Sequence, residues 1–226
     1  DRNLKERGEH IHGMGVFSTA QELESESFDQ VWLCVSSTAL SGPWLKEVLD
    51  AAAPQSLVSM TPGYRDEERL KAAFDGPIVR GLIQFMSYQT PLKLPKGWPT
   101  NDRMEKEALR EKPGVAYWLP PAAKGAFGGD VDAAKSVVRV LKKGGFPATY
   151  DRSVVEKGRL GSAILMPLIA ALQVDGWRFN ALKRGPHLKL AMSAAREILE
   201  LMAADLGRRP PIWRRLLKPW LGSFMM

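Results

Sequence analysis

Two cations and a hydroxyl carry one chemical possibility in this sequence. Lys157 and Arg159 stand on the first turns of an apolar helical pattern, and Ser162 and Met166 follow along one face of it. A cation held there, in a cleft between two parts of the chain, could polarise a carbonyl and stabilise charge that develops on its oxygen. The competing reading is a solvated helix start. A second group sits where two apolar runs end. CVSSTALSG puts the hydroxyls of Ser36, Ser37 and Thr38 just past one predicted strand, and MTPGY puts Thr61, Pro62 and Gly63 just past the next. Ligands of open α/β sheets bind outside the carboxyl ends of the strands, so these residues could meet a cofactor. Plain loop chemistry competes.

Other constellations are weaker. Gly13-Met14-Gly15-Val16-Phe17-Ser18 has the spacing of a phosphate-holding glycine loop with its last glycine lost, but polar residues precede it where a strand is required. It reads as a turn between two short strands. Gly125 to Asp130 opens a helix and could hold an anion, yet Asp130 can cap those amides itself, and the segment reads as a turn. No nucleophile elbow, zincin motif or Cys/His pairing is present. The single cysteine, Cys34, reads as a small buried residue in mid-strand; His10 and His12 read as a solvated pair, and the third histidine, His187, lacks zinc-site spacing. Arg208, Arg209, Arg214, Arg215 and Lys218, interleaved with Trp213 and Trp220, form a basic amphipathic pattern. Such a helix could lie on an anionic membrane or fill a partner's groove; ordinary packing is the competing reading. No nucleic-acid-reading motif accompanies the charge.

These residues need elements to hold them. The chain has 226 residues, 45% hydrophobic and 25% charged, which suits one large or two small globular domains and excludes collagen, coiled coil and wholesale disorder. One cysteine excludes an internal disulfide framework, and a net charge of +7 favours anionic partners. The charged start has no signal-peptide core, and Leu160 to Leu172 falls short of the roughly 18 residues of a spanning helix, so a reducing cytoplasm is expected. Strand-like runs at Val31 to Val35, Ser56 to Met60 and from Pro77 alternate with helical patterns at Trp44 to Ala52 and Asp66 to Phe74, which reads as a parallel α/β sheet. Gln89 to Pro113 reads as a surface insertion with one helix at Met104 to Arg110. A strand at GVAYWLP and a helix over Val131 to Lys143 follow, and beyond FPATYD the pattern is helical. The expected division is residues 1–122, then 123–226. The charged opening and the uncapped SFMM ending suggest a fragment at both ends.

Set in order, these segments resemble the ketopantoate reductase (2-dehydropantoate 2-reductase) family over roughly residues 8 to 205. FDQVWLCVSS is similar to the family's aspartate-led strand with its "CVK"-like turn, Met60-Thr61-Pro62-Gly63 with Glu67-Glu68-Arg69-Leu70 to its "LQNG" turn and "EERL", and Met166-Pro167-Leu168-Ile169-Ala170-Ala171-Leu172 to its "NPLTAL" stretch. The resemblance implies a partial Rossmann-type dinucleotide-binding sheet followed by an all-helical substrate and dimerisation domain. It also implies NADP as cofactor (NAD the alternative) and hydride transfer to a 2-keto acid or related carbonyl. The family's glycine fingerprint would precede Asp1. Ser36 stands where a lysine is expected, Pro62 where an asparagine is, and Gly158 at the catalytic lysine, with Ser162 one turn on; Lys157 and Arg159 flank Gly158 by about 100° either side. An altered substrate is therefore expected. The roles that follow are Lys157, Arg159 and Ser162 at the carbonyl, with Ser36, Ser37, Thr38, Pro62 and Gly63 at the nicotinamide. Weak cofactor binding is expected from these residues alone. The alternative is a non-catalytic binding or membrane-peripheral protein that kept the fold and lost the chemistry.

Overall fold

In the computed structural model, residues 13–61, 63–82, 86–90, 114–118, 120 and 122–207 are described. Their strands are β1 (Gln30–Leu33), β2 (Ser56–Ser59), β3 (Ile78–Leu82), β4 (Met86–Thr90), β5 (Gly114–Trp118), β6 (Gly125–Gly129) and β7 (Ala148–Tyr150). Their helices are α1 (Trp44–Ala52), α2 (Asp66–Ala73), α3 (Val131–Lys143), α4 (Val154–Val174), α5 (Phe179–Arg184) and α6 (His187–Asp205). The main sheet runs β1-β2-β3-β6-β7, and β4 pairs with β5 in a separate ribbon.

β2 is buried along its whole length, as a central strand covered on both faces must be. Leu57 points into one cluster with Leu33, Leu45, Leu49 and Leu70, beneath α1 and α2. Val58 points into the other, with Val79, Phe127, Ala134 and Val137, beneath α3. The spacing of Leu45, Leu49 and Ala52 is that of one helix face, and all three are buried. Asp130 starts α3 as expected, its carboxylate accepting from the Ala133 N–H at 3.0 Å.

The sheet is mixed rather than wholly parallel. β1, β2 and β3 run parallel, and so do β6 and β7, but β6 pairs antiparallel with β3. A parallel pair needs a crossover that carries the chain back past the sheet. Between β3 and β6 the chain instead goes out through the β4–β5 ribbon and returns from the same end.

Gly125 to Gly129 is a strand, not the expected turn, and it lies between β3 and β7. Its glycines answer to crowding. A Cβ on Gly128 would stand 2.1 Å from the Asp151 carbonyl oxygen, and one on Gly129 2.4 Å from that of Ile78. Sheet strands thus continue past residue 122, and the helical run starts at Val154. Cys34 lies just beyond β1 and is exposed, because the ladder stops at Leu33 although the apolar run goes on. Val140 on α3 is 55% exposed. The segments holding His10 and His12, the Met104 to Arg110 helix and the basic pattern from Arg208 lie outside the described residues.

α4 and α6 bury apolar residues against each other. Ala171 and Leu172 of α4 meet Leu188, Ala191 and Met192 of α6, with Leu182 of α5 closing the cluster. Pro167 sits inside α4 and lacks an N–H, so the Ala163 carbonyl loses its helical partner. Among the described residues no helix is long and apolar enough to cross a membrane.

Candidate active site

The loops after β1 and β2 are tied by one buried carboxylate. Asp66 opens α2 with its side chain 1% exposed, and its Oδ2 accepts from the Ser37 hydroxyl and the Gly63 N–H, both at 2.7 Å. A Cβ on Gly63 would fall 2.4 Å from Asp66 Oδ1, so only glycine lets the carboxylate approach this backbone. Arg69 adds a 3.0 Å bond to the Ser37 carbonyl. These contacts fix Ser37 and Gly63 side by side at the carboxyl ends of their strands. Ser36 and Thr38 bond each other at 2.8 Å on the exposed side of the same turn. Pro62 lies outside the described residues.

Facing them across a cleft of about 650 Å³ is the amino-terminal half of α4. Ser37, Gly63, Arg159 and Ser162 all line this cleft; Ala163, Met166, Ile198 and Met202, from α4 and α6, form its apolar wall. Lys157 does not. It points back along the start of α4 and binds Asp151 Oδ2 at 2.5 Å, 61% exposed. That bond, with two more from Ser153, holds the Asp151 carboxyl down at about 2. Of the candidate site residues, Ser37, Gly63, Arg159 and Ser162 share the cleft, and Lys157 is turned away onto Asp151.

Arg159 is held without being saturated. Its Cζ lies over the Tyr64 ring, 5.0 Å from the centroid, and its Nη2 stands 3.5 Å from Glu67 Oε2. The second distance exceeds a good hydrogen bond. Among the described residues its N–H donors have no hydrogen-bond partner, although the side chain is only 22% exposed. Glu67 is shared, with Oε1 at 2.9 Å from Lys71; the lysine, and Arg159 and Arg80 beyond it, hold its carboxyl below the usual range. Tyr64 in turn donates to the Asp205 carboxylate at the end of α6, which pushes the phenol up.

Tyr64, Glu67 and Arg80 were missed at the level of sequence. Arg80 comes from the interior of β3, donates to the Thr61 carbonyl at 2.6 Å and, among the described residues, leaves a buried Nη1 without a partner. Burial lowers its pKa. It lines a small void of about 20 Å³ with Glu67, Arg159 and Gly158, room for about one water. The signal was available: a cation inside a buried strand needs an anion, and DEERL is the acidic run nearest in sequence. At Gly158 a Cβ would meet the flexible Leu82 side chain at 3.2 Å.

No protein-family model matches the chain, and neither does any curated protein. Solved structures do. A 2-dehydropantoate 2-reductase from Methylococcus capsulatus aligns with a TM-score of 0.60 at 17% identity, over 92% of this chain and 61% of that one. D-mandelate dehydrogenase, in a ternary structure with NADH and anilino(oxo)acetate, aligns with a TM-score of 0.52 at 14% identity, over 84% of this chain and 56% of that one. This chain therefore spans less than two thirds of the length of either. What the likeness establishes is architecture: an α/β Rossmann-like sheet followed by helices, the fold of the 2-dehydropantoate 2-reductases.

Proposed function

We propose that this chain contributes the substrate side of a nicotinamide-dependent reductase acting on a 2-keto acid or related small carbonyl compound. The observation that carries this is Arg159, a largely buried guanidinium with open donors on the wall of a cleft at the strands' carboxyl ends. Its charge would hold an oxygen of the keto acid and stabilise negative charge there, with Ser162 three residues on at the same wall. Lys157, spent on Asp151, would act on the helix start instead. NADP, or NAD, is the cofactor this reading calls for, and when bound it supplies the hydride. Its nicotinamide end would lie against the hydroxyl oxygens of Ser36, Ser37 and Thr38 and the turn at Gly63, the ends of β1 and β2 that line one side of the cleft. The two lobes of this reading meet at the Asp151 to Val154 turn. Self-association through the helical lobe and a cytoplasmic setting complete it; nucleic acid and membrane have no part.

A second reading is favoured by Gly158, where α4 presents bare backbone to the small void. On it the chain binds a carbonyl compound without turning it over. The seven tryptophans allow one experiment to separate the two. NADPH and NADH are titrated against tryptophan fluorescence, and absorbance at 340 nm is followed with a panel of 2-keto acids. Keto-acid-dependent loss of absorbance, abolished by Arg159→Met, supports the reductase. Quenching by keto acids with no loss of absorbance supports the second reading. No response to either ligand overturns both.

A further inference from the structure

The reading above rests on Arg159 as a cation; its surroundings say more about what it can grip. A guanidinium offers five N–H donors in a fixed plane, a fork that matches the two oxygens of a carboxylate. The guanidinium carbon lies over the Tyr64 ring. Glu67 stands at Nη2, too far at 3.5 Å for a strong hydrogen bond, and its nearer oxygen contact goes to Lys71 at 2.9 Å. Among the described residues Nη1 and Nε have no hydrogen-bond partner, and Arg159 lines the cleft. Lysine, a point charge on a flexible stem, would need none of this support.

We propose that Arg159 grips the carboxylate of the ligand edge-on through two hydrogen bonds, and that Tyr64 is a positioning residue whose ring, 5.0 Å from the guanidinium carbon, holds the fork in that orientation. The ligand class is thereby a carboxylic acid, not a simple ketone or aldehyde. The carboxylate fixes the keto carbon beside the loops of Ser37 and Gly63, which makes the carboxylate the recognised group and the carbonyl the group that is brought along. The Tyr64 hydroxyl serves a different end: through Asp205 it ties the turn after β2 to the last turn of α6.

The test is calorimetric titration of the full chain with 2-oxobutanoate, butanoate and 2-butanone, which differ only in which oxygens they carry. The two acids are expected to bind and the ketone to bind at least ~10-fold more weakly. Arg159→Lys keeps the charge and loses the fork, and both acids are expected to weaken ~10-fold or more. Tyr64→Leu is expected to weaken them roughly 3- to 30-fold, the range of a partly desolvated cation–π contact, and Tyr64→Phe to restore what leucine loses. A merely structural tyrosine would not be rescued by the ring alone. Butanone binding as tightly as the acids, lysine serving as well as arginine, or Tyr64→Leu matching Tyr64→Phe overturns this proposal and leaves the carbonyl-holding cleft standing. Failure of 2-oxobutanoate to bind the unaltered protein removes both.

Discussion

Gly128→Ala is expected to be among the most damaging single-methyl additions the sheet can receive, and its cost can be worked from the surroundings. Gly128 pairs with Arg80 in the β3–β6 ladder. The added Cβ would lie 2.1 Å from the Asp151 carbonyl oxygen and 2.8 Å from Val154 Cγ1. The first obstacle is backbone and cannot rotate away. Relief requires the Asp151 to Val154 turn to retreat by about 1 Å, and that turn carries the Asp151–Lys157 pair and launches α4. Overpacking of this kind costs about 1–3 kcal/mol, and the upper end is expected here because a peptide must move. Gly161→Ala is the matched control. Its Cβ meets nothing within 4 Å, and it sits inside α4, so alanine should stabilise by about 0.5–1 kcal/mol. Urea unfolding followed by far-UV circular dichroism reads both. The two variants should diverge in opposite directions by roughly 3.5–4 kcal/mol at unchanged m. A Gly128→Ala protein within 0.5 kcal/mol of its parent, on the order of the scatter of neutral surface changes, would refute the packing argument.

Two further outcomes follow from groups at helix starts. Asp130→Ala removes the acceptor for the Ala133 N–H and should lower the unfolding free energy by about 1 kcal/mol, with Asp130→Asn recovering most of it in the same urea assay. Lys157→Met removes the largest influence on Asp151, whose carboxyl lies at about 2 instead of its ordinary 3.8. A carboxyl lowered on folding adds stability that is present above the ordinary value and is lost as pH falls from about 4 towards 2. The variant should therefore lose no more than about 1 kcal/mol at neutral pH, since the lysine is well exposed, and its deficit should shrink as pH falls through that window. Circular dichroism across pH 2 to 7 checks the sign; a deficit that widens towards pH 2 is the contrary result.

β2 was legible because burial on both faces demands a continuous apolar run such as Leu57-Val58, β1 because Val31 to Leu33 pack at the sheet edge against the same two clusters, and α1, α3 and α6 because their apolar residues recur at helical spacing. β6 was not. Glycine is a poor strand former in isolation, and what selects it here is the closeness of the Asp151 and Ile78 carbonyls, a tertiary fact with no local trace. Cys34 misled for a related reason: the apolar run outlasts the ladder, so periodicity put the strand's end too late. At the candidate site, position along the chain gave Ser37, Gly63, Arg159 and Ser162, which do meet around one cleft. It could not separate Arg159 from Lys157, two residues away on the same helix. That choice is made by Asp151, Tyr64 and Glu67, which reach these cations from other elements.

That choice also gives the most direct measurement. Titration calorimetry with 2-oxobutanoate on the full chain, Arg159→Met and Lys157→Met compares the two cations at equal loss of charge. Loss of a charge-assisted contact should weaken binding to Arg159→Met by roughly 10- to 150-fold, with Lys157→Met within about 3-fold of the unaltered chain. Binding lost in Lys157→Met and kept in Arg159→Met would contradict the assignment of the cleft's chemistry to Arg159.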